Sequence, residues 1–157
     1  MQLISTTIEI AAPPEAVREK FLDFPSWPKF QRQGGWFISI APSNSNNAPK
    51  DLEPNDTLDV TIQIGSLNPT ILENTPTVFQ WGGTGLMGTF NGAHAFRFKP
   101  STTTPGGTTF VHEEEFTGAM TWLIGEGVIA KGVGMREKTK AGFEGFNEDF
   151  KKWCEAR

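Results

Sequence analysis

Phe143, Phe146, Phe150 and Trp153 follow one another at intervals of three, four and three residues, the spacing that sets side chains along one face of an α-helix. A stripe of four rings cannot stand in water, so the rest of the chain must supply a concave apolar surface to cover it. Lys138, Lys140, Glu144, Glu148, Asp149, Lys151 and Lys152 mostly take the opposite, solvent side. The periodicity predicts a helix from about 135 to 154, roughly 30 Å long at ~1.5 Å per residue.

What comes before that helix reads mainly as strands. Ile4, Thr6, Ile8 and Ile10 alternate with Leu3, Ser5, Thr7 and Glu9, a half-buried strand. Pro13-Pro14-Glu15 then opens a short helix, since proline is tolerated in a first turn and an acid suits a helix N-terminus. Val17 and Phe21 lie on its inner side. Pro25 and Pro28 break it, and Trp27 and Phe30 fall in a second short helix or turn. Further strands are predicted at 36–40, 58–64, 69–73, 77–82, 88–98 and 108–117, with Leu58, Val60, Ile62 and Ile64 giving the clearest alternation. Residues 41–56 are rich in turn formers and are expected to form a mobile loop. The expected fold is α+β, one domain over 1–157: a curved seven-stranded antiparallel sheet around a long C-terminal helix, with two short helices after the first strand.

Thirteen Phe and five Trp without a single Tyr suit a dry core or an apolar pocket, because phenylalanine carries no hydroxyl in need of a partner. The net charge of −4 and the absence of a basic stripe argue against a nucleic-acid partner. Cys154 stands alone and cannot form an internal disulfide, which favours a reducing compartment. No basic and apolar leader opens the sequence, and no apolar run approaches the ~20 residues that span a bilayer. The expected location is cytoplasmic, and Asn55-Asp56-Thr57 is read as a chance match to a glycosylation sequon.

The order of elements resembles the SRPBCC superfamily, the START-like, birch-pollen-allergen-like helix-grip fold, in its polyketide cyclase/dehydrase-like branch. The residues that carry the likeness are Ile8-Glu9-Ile10-Ala11-Ala12-Pro13-Pro14-Glu15-Ala16-Val17, Phe24-Pro25-Ser26-Trp27-Pro28-Lys29-Phe30, Phe79-Gln80-Trp81-Gly82-Gly83 and His94-Ala95-Phe96-Arg97-Phe98. Gly107 to Gly118, around Val111-His112-Glu113-Glu114-Glu115-Phe116, and Gly142-Phe143-Glu144-Gly145-Phe146-Asn147-Glu148 complete the set. The resemblance spans nearly the whole chain and implies a central cavity for lipids, sterols, plant metabolites or polyketides. Some members are enzymes and many have no known activity. The Asn/Ser-rich stretch at 43–47 departs from typical members at the expected pocket entrance.

Only two histidines are present, and both fall on strand faces rich in rings. His94, Phe96 and Phe98 share one face; Phe110, His112, Glu114 and Phe116 share one face of the next strand; Phe79 and Trp81 do the same before them. The candidate ligand-binding residues are therefore Trp81, His94, Phe96, Phe98, Phe110, His112, Glu114 and Phe116, with Phe143 and Phe146 as the back wall. The alternative reading makes the rings plain core and the histidines cross-strand hydrogen-bond partners. His94, His112 and Glu114 are also the candidate catalytic set, an acid–base group without a cofactor. Metal ligation is not expected, because His112-Glu113-Glu114 lacks the helical i, i+4 geometry of hydrolytic zinc sites. Arg97 is expected to pair with Glu113 or Glu115 on the outer face.

Gly83-Thr84-Gly85-Leu86-Met87-Gly88 and Gly125-Glu126-Gly127-Val128-Ile129-Ala130 imitate nucleotide-binding fingerprints without the strand and helix those require, and are read as turns. Gly118 to Gly134 holds five glycines among apolar residues and forms either a gate or a plain connector. Cys154 is read as an inert helix residue. Three functions compete: binding of a hydrophobic or aromatic small molecule, a cyclase or dehydratase of polyketide-like substrates, and a regulatory module for a protein partner.

Overall fold

The computed structural model describes residues 2–85, 90–118 and 134–156. Alternation in the first residues becomes strand β1 (Gln2–Ile10), with Ile4, Thr6 and Ile10 buried. Two short helices follow, α1 (Pro14–Phe21) and α2 (Trp27–Phe30), with a 3-10 turn at Phe24–Ser26 between them. Proline opens each of the two, at the position where its missing N–H costs nothing. Next come β2 (Phe37–Pro42), β3 (Leu58–Ile62), β4 (Gly65–Leu67), β5 (Thr70–Asn74), β6 (Val78–Gly85), β7 (Phe90–Pro100) and β8 (Thr108–Thr117). The closing helix, α3, is Met135–Glu155, matching the span its aromatic period predicts.

The strands form two antiparallel sheets among the described residues, in the orders β1-β8-β7-β6-β5 and β2-β3-β4. A single bridge between Thr57 and Thr70 joins them, extended by Leu58 N–H to the Pro69 carbonyl and Ile71 N–H to that of Asp56. Among the described residues eight strands thus stand where seven are expected. Gly65–Leu67 folds back on β3, and Pro69, with no N–H to donate, separates it from β5. Gly83, Thr84 and Gly85 continue β6 instead of forming a turn. The rest of that glycine stretch, the Gly125 pattern and most of Gly118 to Gly134 lie outside the described residues.

The core is a lattice of phenylalanine rings. Phe21 of α1 meets Trp27, Phe79, Phe96, Phe98 and Phe150 with centroids 4.6–6.2 Å apart. The Trp27 indole, the polar exception, donates to the Phe21 carbonyl at 2.8 Å. Gln31 clips α2 to β2, donating to the Trp27 and Phe37 carbonyls and accepting from the Phe37 N–H, which fixes Phe37 over the sheet.

Three outward features refine the sequence reading. Asp149 does not face open solvent: both its oxygens take the Arg32 guanidinium at 3.0 Å, and one also accepts the Arg32 N–H. Burial alone would raise its pKa, but the Arg32 hydrogen bonds and charge outweigh that and hold it below the usual carboxylate value. Loop 41–56 is tied down in its second half, where Asn74 donates to the Pro49 and Leu52 carbonyls beside a 3-10 turn. Arg97 pairs with Glu113 at 2.8 Å, as expected of the outer face.

Candidate functional site

Register brings the two histidine strands together. His94 lies opposite Glu114 and Phe96 opposite His112 on β7 and β8, while Thr6 of β1 lies opposite His112 on the other side. Cross-strand partners point to the same face, so His94, His112, Glu114 and Thr6 all turn toward α3. The three catalytic candidates do meet. His94 Nε2 and His112 Nε2 are 2.7 Å apart, and His94 Nδ1 is 3.4 Å from Glu114 Oε2.

The line continues inward through two residues that sequence reading left out of the site. His112 Nδ1 is 2.9 Å from Asn147 Oδ1, and Asn147 Nδ2 donates to Thr6 Oγ1 at 2.8 Å. Thr6 in turn donates to the His112 carbonyl at 3.0 Å. Asn147 stands one turn from Phe143 on the inner stripe, and Thr6 lies on the inner face of β1; a polar residue at an apolar period was the available signal for both.

These contacts fix the protons. A carbonyl can only accept, so the Thr6 hydroxyl hydrogen is committed to His112 O and its lone pair receives the Asn147 amide. Asn147 therefore turns its oxygen to His112, which must carry its hydrogen on Nδ1 and present a bare Nε2. That lone pair takes the Nε2–H of His94. The line runs from Asn147 through the His112 imidazole and His94 to the Glu114 carboxylate. Burial, then the charge on His94, hold the His112 pKa well below 6.5, against the Asn147 bond that favours the protonated form.

Rings enclose the pair. Phe143 stacks on His112 with centroids 4.0 Å apart, Phe37 covers it from the other side, and Trp81 and Phe96 flank His94 at 4.9 and 4.8 Å. His112 is 0% exposed and His94 4%. Phe98 and Phe110 sit further along, against Phe21, and Phe110 touches Phe150. Phe146 fills the space beside Trp27 and Phe37. Along the described residues the expected central cavity is thus occupied by rings from sheet and helix in direct contact: the phenylalanines that suit a pocket wall are numerous enough to close it.

Open space lies to one side. A groove of about 440 Å³ runs between the β4–β5 corner, at Leu67, Asn68 and Pro69, and a wall formed by Trp81, Gly92 and Glu114. Glu114 joins the two regions, its side chain 20% exposed at the groove and its carboxylate against His94. Gly92 leaves room beside the carboxylate: a Cβ there would come within 2.7 Å of Glu114 Oε1. Phe116, opposite Gly92, borders the same spot. Among the described residues no group of three or more His, Cys, Asp or Glu is arranged to hold a metal ion. Cys154 is buried, and burial pushes its thiol up to about 12.

Residues 1–155 match the family described as polyketide cyclase / dehydrase and lipid transport. No protein of curated function matches the sequence. Among solved structures, hypothetical protein jhp0584 from Helicobacter pylori superposes with a TM-score of 0.70 at 10% identity, covering 98% of this chain and 88% of that one. A START superfamily protein from Mycobacterium smegmatis gives 0.64 at 16% identity, covering 98% and 97%. Ara h 8.0201 gives 0.64 at 14%, covering 99% of each chain. At such identities these likenesses establish the helix-grip fold. No described helix is long and apolar enough to cross a membrane.

Proposed function

The chain belongs to the polyketide cyclase/dehydrase and lipid transport family, and from that premise we propose that it binds a small hydrophobic or aromatic molecule in the groove beside Trp81 and Glu114. The observation that carries this reading is the groove itself: Leu67, Pro69 and Trp81 together with Ser66, Asn68, Thr84 and one carboxylate, Glu114, apolar surface with a few polar groups as small-molecule sites have. A lipid- or polyketide-like molecule would lay its rings or chain along Leu67 and Trp81 and turn a polar group to Glu114. The test is titration with the neutral fluorophore N-phenyl-1-naphthylamine. Leu67 is 44% exposed, so Leu67→Asp spares the core while placing a charge on the groove wall; affinity is expected to drop at least tenfold. Equal affinity in the variant and the parent protein would defeat the proposal.

The contiguity of His94, His112 and Glu114 favours a second reading, a cofactor-independent cyclase or dehydratase. Glu114 is the one member of the set that reaches the groove. Its carboxylate, beside His94, is suited to take a proton from carbon next to a carbonyl and return it to a departing hydroxyl, leaving an alkene and water. Replacing Glu114 by Gln and measuring affinity and turnover separately distinguishes the two readings: binding that survives with turnover lost supports catalysis, and unchanged turnover removes Glu114 from the chemistry.

A further inference from the structure

Within the groove reading, the hydrogen-bonding inventory of the two walls assigns the ligand's polar groups. Glu114 is the only charged side chain among the described residues lining the groove, and no Lys, Arg or His stands beside it there. One of its oxygens, Oε2, lies 3.4 Å from His94 Nδ1. The other, Oε1, lies over Gly92, so close that a Cβ there would come within 2.7 Å of it, and Gly92 is part of the groove wall. An ionised carboxylate has acceptors alone to offer.

Across the groove, Asn68 is oriented by what its amide nitrogen meets. Nδ2 lies 2.8 Å from Asp59 Oδ1 and 3.5 Å from the Leu58 carbonyl oxygen. Both are acceptors, so the nitrogen and not the oxygen must face them. The oxygen, Oδ1, is what the side chain retains for the groove. Asn68 leads into β5 and Glu114 belongs to β8, three places apart in the sheet, roughly 14 Å at ~4.8 Å per strand. We infer that the groove selects a neutral apolar molecule with a hydroxyl at each end, one donating to Glu114 Oε1 and the other to Asn68 Oδ1, and that it turns carboxylates away.

Charge and donor count both favour hydroxyls. An anionic ligand would meet Glu114 on one wall and Asp59 behind Asn68 on the other, with no lining cation to offset the loss of its hydration. An ammonium brings three hydrogens to a groove whose walls present one such oxygen each. A hydroxyl brings one. Ser66 and Thr84 also line the space, but a hydroxyl rotor serves as donor or acceptor and sets no preference. The apolar body lies along Leu67, which is 44% exposed, in a volume of about 440 Å³ that falls within the range of small-molecule sites.

Isothermal titration calorimetry with 2,6-dihydroxynaphthalene, 2-naphthol, 2-methoxynaphthalene, 2-naphthoate and 2-naphthylmethylamine at neutral pH varies the polar group on one ring system. 2-Naphthol is expected to bind about tenfold more tightly than 2-methoxynaphthalene, which keeps the oxygen and lacks the hydrogen, and the diol about threefold more tightly again. 2-Naphthoate should bind about tenfold more weakly than 2-naphthol. Glu114→Gln should abolish the discrimination against naphthoate, and Asn68→Ala should abolish the diol's gain over 2-naphthol. An unchanged affinity for 2-methoxynaphthalene in both variants shows that the groove is intact. If the methoxy compound or naphthoate binds as well as 2-naphthol, if the amine binds more tightly than the diol, or if the diol's gain survives Asn68→Ala, the hydroxyl assignment is wrong and the groove reading stands. Binding by none of the five overturns the groove reading, and the hydroxyl assignment with it.

Discussion

Replacing Asn147 by Leu keeps the number and branching of side-chain heavy atoms and removes both ends of its bridge between β1 and β8. His112 Nδ1–H then loses its acceptor at 2.9 Å in a site with no water-accessible surface, which costs ~1–3 kcal/mol. The 2.8 Å bond to Thr6 contributes about 1 kcal/mol more, and the added apolar surface returns about 1 kcal/mol. The expected net loss is about 2 kcal/mol, or about 4–8 °C in Tm for a chain of this size. Thr6→Val alone strands the Asn147 amide and the His112 carbonyl and should cost ~1–2 kcal/mol. Because the two side chains serve each other, the double variant should be less destabilised than the sum by about 1 kcal/mol. Urea denaturation of all four proteins at pH 7.5 provides the cycle. Single effects that add within about 0.3 kcal/mol, or a loss below about 0.5 kcal/mol for Asn147→Leu, would refute the directional network and the His112 tautomer read from it.

The fold holds His112 neutral, whereas the unfolded chain takes up a proton near the ordinary value of 6.5. The unfolded state then binds more protons as pH falls, so stability should decline below that value by up to about 1.4 kcal/mol per pH unit. Urea midpoints at pH 6.5 and 5.5 should show the decline and His112→Phe should lessen it; equal slopes in both proteins would contradict a neutral His112. Gly142→Ala should lower stability by about 1–2 kcal/mol despite better helix propensity, because the new Cβ would overlap the buried Trp36 ring; an unchanged or raised Tm would show that ring free to move. Cys154, its thiol pushed up to about 12 by burial, should resist Ellman's reagent at pH 8 in the folded protein and react fully in urea; prompt native labelling would place it at the surface.

Much of the architecture follows from side-chain period. The spacing of Phe143, Phe146, Phe150 and Trp153 predicted α3 almost to its ends, and the inner face of β1 matches the alternation of Ile4, Thr6 and Ile10. Periodicity also placed His94, His112 and Glu114 on facing positions, because neighbouring strands joined by a hairpin share a register that residue spacing can suggest. It could not reveal Asn147 as their partner, since that meeting depends on how α3 is rotated and seated against β1. Residue spacing puts Asp149 toward solvent for the same reason: its partner Arg32 comes from the segment just past α2. Gly92 mattered through the hydrogen it carries in place of a side chain, a property that acquires meaning only once Glu114 is seen beside it. Strand β4 escaped because Gly65-Ser66-Leu67 has no alternation and pairs only through its backbone. The filled interior follows from side-chain volume, which a pattern of polar and apolar letters does not measure.

Thr6 and Asn147 are 141 residues apart in sequence, and this distance has a consequence for birth at the ribosome. At ~5–20 residues per second, β1 emerges roughly 7–28 s before the helix that completes its hydrogen bonding. For the last 35 residues of that interval, His112 has no Asn147 to orient it, even with both neighbouring strands already translated. The newborn sheet therefore carries an unoriented imidazole until the last segment docks, and the ability to hold a proton in a defined place is acquired only when synthesis has passed Asn147.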